Sequence, residues 1–77
     1  MTYSLIINKL HYDSSYVNGL KTWSQVTEYL RNKLDQWTYS VKITKYSSDD
    51  RLLGEKNVTM GNICKVAFAL RDKDVLI

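Results

Sequence analysis

The sequence predicts a small α+β domain in which one amphipathic helix lies across one face of a mostly antiparallel sheet, in the order β-α-β-β-β. Three observations carry that expectation. Between Thr22 and Trp37 the apolar residues Trp23, Val26, Leu30, Leu34 and Trp37 recur at steps of three and four, the period of a helix with one buried stripe. From Thr38 to Tyr46 the period changes to two, with Tyr39, Val41 and Ile43 alternating against Thr38, Ser40, Lys42, Thr44 and Tyr46. Gly61-Asn62 then separates two further segments that alternate, as a two-residue hairpin loop would.

Taken in chain order, Thr2 to Leu10 is rich in β-branched and aromatic residues and apolar on both parities, so it reads as a strand away from the sheet edge. Tyr3, Leu5 and Ile7 would share one face, with Ile6 and Leu10 on the other. His11 to Lys21 reads as an eleven-residue loop, because Asp13, Ser14, Ser15, Asn18 and Gly19 are turn formers set between Tyr12, Tyr16, Val17 and Leu20. A loop of that length carrying two tyrosines is a candidate contact surface.

Thr22 and Gln25 have the spacing of a capping box, so the helix is expected to begin at Thr22 and run to Trp37. Trp37 would close the helical stripe and open the apolar side of the next strand, pinning the two elements together. If the strands flanking the helix are sheet neighbours, a right-handed crossover would make them parallel.

Ser47-Ser48-Asp49-Asp50 is a turn cluster. Leu52 to Met60 follows as an edge-like strand, with Leu52, Val58 and Met60 on one parity and Gly54 and Lys56 interrupting that face. The last strand is expected over Cys64 to Leu70. A second helix over 61–72 is the alternative, because Ile63, Val66, Ala67 and Leu70 also fit helical spacing.

The chain of 77 residues is expected to form a single domain, 1–77, that buries about 60 to 65% of its unfolded surface. Its 44% hydrophobic content places it among folded rather than disordered chains. The net charge of +3 is spread from Lys9 to Lys73, which permits nucleic acid without implying it. With one cysteine and one histidine, neither an internal disulfide nor a multi-cysteine metal site is expected. Leu5-Ile6-Ile7 is too short for a signal segment or a membrane span, so the expectation is a cytoplasmic protein without cofactors or membrane contact.

No residue pattern argues for an enzyme. His11, Asp13, Ser14 and Ser15 contain the residue types of a hydrolytic triad, but loop neighbours two or three apart do not hold base and nucleophile on a rigid scaffold. Asp49 and Asp50 read as turn chemistry, and Cys64 as a small buried hydrophobe.

The leading expectation is a non-enzymatic module that binds a larger protein through Tyr12, Tyr16, Val17 and Leu20. By analogy of size alone, accessory and anti-defence inhibitors of phages and plasmids act by occupying such a surface. The alternative is a single-stranded RNA or DNA binder that uses Lys42, Tyr46, Lys65 and Arg71 on an open, cationic sheet face. A homodimer formed through the strand Leu52 to Met60 is a third arrangement.

Overall fold

A computed structural model describes residues 1–34 and 37–59 of the chain. It contains β1 (Thr2–Lys9), β2 (Ser15–Leu20), α1 (Trp23–Lys33), β3 (Thr38–Tyr46) and β4 (Leu52–Thr59). The four strands form one sheet in the order β2-β1-β3-β4, and all three pairings are antiparallel. The α+β class expected from the sequence is therefore present, with one helix packed on one face of the sheet. The strand expected over Cys64 to Leu70, its helical alternative and Met60 lie outside the described residues.

The element order differs from the expectation in one respect that changes the topology. Ser15–Leu20, expected as part of a loop, is β2 and forms a hairpin with β1. This extra strand returns the chain to the end of the sheet where β1 began. The helix then carries it back across, and β3 enters antiparallel to β1 instead of parallel. No parallel crossover exists between these two strands.

The core lies where β1 and β3 meet α1. Leu5 pairs with Ile43 and Ile7 with Val41, and Val26 and Leu30 of the helix close over them; all six side chains are fully buried. Tyr3 extends this layer at the other end of β1, its ring tilted against Trp23 with centroids 5.7 Å apart. Val17, Leu20, Tyr29, Leu34 and Val58 pack around the rim.

Thr22 caps the helix as the sequence predicts: its hydroxyl accepts from the Gln25 amide at 3.1 Å. The Gln25 side chain reaches back to the backbone N–H of Lys21, at 2.7 Å, one residue before the usual capping-box donor. The helix ends sooner than expected. Leu34 is its C-cap in an extended conformation, and Trp37 lies outside the helix, its carbonyl accepting from the Leu10 amide at 2.8 Å. The helical stripe thus stops at Leu34, and Trp37 belongs to the sheet end.

Each strand pairing contains a bulge, and each bulge moves residues to faces that simple alternation does not predict. In β2, Asn18 and Gly19 together oppose Ser4, with Gly19 at φ +81°. That extra residue puts Val17 and Leu20, three positions apart, on the same side of the sheet, against the core. In β3 the extra residue is Tyr39, which sits between the pairs Asn8–Ser40 and Lys9–Thr38. Thr38 is consequently buried on the helix side, and Tyr39, expected beside Val41, is half exposed. In β4 the extra residue is Leu53, so Leu52 pairs with Tyr46 and leaves the face that Val58 occupies.

The face away from the helix is lined in its centre by small polar residues. Ser4, Ser40 and Thr44 are buried there. Their polar atoms are bonded across strands: the Asn8 side chain donates to the Ser40 hydroxyl at 3.0 Å, the Ser4 hydroxyl to the Asn18 side-chain oxygen Oδ1 at 3.5 Å, and the Thr44 hydroxyl to the Ser4 backbone carbonyl at 3.4 Å. Among the described residues no buried side-chain nitrogen or oxygen lacks a partner, as burial of polar groups requires.

The β3–β4 turn is built by the predicted cluster. Ser47 and Arg51 close it through a 2.9 Å backbone bond, the Asp50 amide donates to the Ser47 carbonyl, and the Ser47 hydroxyl bonds the Asp49 carboxylate. Asp50 takes φ +63°, a conformation that aspartate tolerates and β-branched residues do not.

Two stability measurements follow from this packing. Leu30→Ala is expected to cost about 2 to 5 kcal/mol in a denaturant melt, and a loss well below 1 kcal/mol would show that the core lies elsewhere. At the turn, Asp50→Gly is expected to be neutral or stabilising and Asp50→Val to lie about 1 to 2 kcal/mol below it. Equal stability of the two variants would remove the left-handed conformation at this position.

Candidate functional site

The exposed aromatic surface gathers at the end of the sheet where β1 finishes and β3 starts. Two local features create it. His11, at φ +67°, turns the chain sharply after β1 and projects Tyr12 from the loop tip. The bond from the Leu10 amide to the Trp37 carbonyl extends the β1–β3 pairing by one step beyond the bulge and brings the Trp37 ring to the same place. The rings of Tyr12 and Trp37 lie 6.1 Å apart, inclined by 56°, the tilted arrangement that aromatic quadrupoles favour.

Both rings remain accessible, Tyr12 at 60% and Trp37 at 40% of full exposure, and Leu10 and Tyr39 at the same end of the strands are about half exposed. A shallow notch of about 560 Å³ is lined by Lys9, Tyr12, Asp13 and Trp37. The notch offers two aromatic faces with a cation and a carboxylate beside them. Such a surface can bury apolar area against a partner and hydrogen-bond at its rim, the anatomy of an interface anchor.

The predicted contact residues separate in the structure. Tyr12 and Tyr16 are both exposed, but Tyr16 sits in β2 opposite Ile6, on the sheet face away from the helix, whereas Tyr12 lies tilted against Trp37. Val17 and Leu20 face the other way and pack on the core, so their apolar area is spent on folding. Trp37, assigned by sequence to the core, is the residue that reasoning from periodicity missed. Between Leu34 and Thr38 the sequence offers neither glycine nor proline, and Asp35 is its one turn former, so the helix end was weakly marked.

For the nucleic-acid reading, Lys42 lies on the face away from the helix and forms an ion pair with Glu55 at 3.3 Å. Tyr46, on the same strand, pairs with Leu52 and is partly buried. Lys65 and Arg71 lie outside the described residues. The carboxylate beside Lys42 offsets its charge, so what is described of this face is neither bare nor uniformly cationic.

Elsewhere, the Ser14 hydroxyl donates to the Asn8 side chain at 2.7 Å, which ties the β1–β2 loop to the polar layer of the sheet. Among the described residues no group of three histidine, cysteine, aspartate or glutamate side chains is placed to share a metal ion. No described helix is long and apolar enough to cross a membrane.

Lys45 is the other residue whose position sequence reasoning passed over. It follows Val41 and Ile43 on the helix side of β3, opposite Tyr3 and Gly54, and is only 5% exposed. Its ammonium lies 5.6 Å from the centre of the Tyr3 ring, and its stem is buried beside the core. Lys45 thereby belongs to the packing around Tyr3 and Trp23, remote from the Tyr12–Trp37 corner.

No protein-family model, curated protein or solved structure matches the chain.

The ring pair itself can be measured. A double-mutant cycle of Tyr12→Ala and Trp37→Ala is expected to give a coupling of about 0.5 to 1.5 kcal/mol in stability. Coupling indistinguishable from zero would mean that the two rings do not meet in solution.

Proposed function

We propose that this domain is a non-enzymatic protein-binding module whose anchor is the Tyr12–Trp37 corner. The observation that supports the reading is the tilted aromatic pair itself, exposed where β1 ends and β3 begins instead of being absorbed into the core. Large, stiff aromatic side chains bury area on binding with little loss of rotamer freedom, which makes them the residues that dominate interface energies. Leu10 and Tyr39 extend the apolar surface around the pair, and Lys9 and Asp13 supply a polar rim. Tyr16 contributes only to a partner that reaches around to the other face of the sheet.

The test is affinity capture from the native host with four baits: the unmodified domain, Tyr12→Ala/Trp37→Ala, Tyr16→Ala and Lys42→Ala. The expected outcome is a protein partner retained by the unmodified, Tyr16→Ala and Lys42→Ala baits and reduced at least tenfold by the double substitution, with all four baits folded by circular dichroism. Equal capture by the double variant would overturn the site. Retention of nucleic acid alone, lost with Lys42→Ala and on raising salt, would overturn the reading in favour of the nucleic-acid alternative.

A further inference from the structure

We draw no further inference here: the strongest candidate, the open notch beside the Tyr12 and Trp37 rings at the end of β1 and β3, belongs to the site already described, and nothing in the structure shows what covers it.

Discussion

The fold depends on one register, the antiparallel pairing of β1 with β3 that sets Leu5 beside Ile43 and Ile7 beside Val41 under Val26 and Leu30. Those six side chains are the fully buried apolar centre of the described structure. Each is worth about 1.5 to 3 kcal/mol on burial, against a net stability of about 5 to 15 kcal/mol for a typical domain. Slipping β3 by one residue would turn Val41 and Ile43 to the opposite face and bring Lys42 and Thr44 under the helix. The side-chain period of two therefore holds the register firmly in the middle of the sheet.

Toward its ends the sheet escapes that constraint through bulges, one in each pairing. An extra residue on one strand breaks the alternation locally without disturbing the centre. At Asn18-Gly19 the break brings Val17 and Leu20 together against the core. At Tyr39 it directs Thr38 inward and leaves an aromatic ring half exposed. At Leu53 it separates Leu52 from the face of Val58. Two of the three bulges thus leave a large apolar side chain on the surface, and the one at Tyr39 adjoins the Tyr12–Trp37 pair. The aromatic corner follows from how the β1–β3 ladder ends.

What the sequence disclosed, and what it concealed, follows the same division. The helix start, β1, β3 and the Ser47–Asp50 turn were readable because each rests on local chemistry or unbroken periodicity: a capping hydroxyl, an apolar alternation, a run of turn formers. β2 was not readable, because a period of two cannot place Val17 and Leu20 on one face and its turn-forming residues Asn18 and Gly19 are the bulge itself. Missing β2 reversed the inferred direction of β3 relative to β1, since one added strand changes the parity of every crossing that follows. At the site, Tyr12 was accessible to reasoning from residue type and loop position. Trp37 was not, because its spacing from Leu30 and Leu34 fits a helix that ends before reaching it.

The change in Trp37 alters where function is to be sought. A tryptophan at the end of the helical stripe would be core, and its removal would damage the fold and any activity together. On the sheet end its ring meets Tyr12 and stays partly exposed, and burying the remaining area of both rings in an interface would release about 25 cal/mol for each square ångström of apolar surface covered. Folding leaves that free energy unused. Val17 and Leu20 are the reverse case, since their apolar area already packs against the core. Residue type alone cannot separate these two kinds of apolar side chain in a chain of this length. Their distribution between the bulged sheet ends and the regular centre does: Tyr12 and Trp37 keep exposed rings at a sheet end, and Val17 and Leu20 pack against the β1–β3–α1 layer.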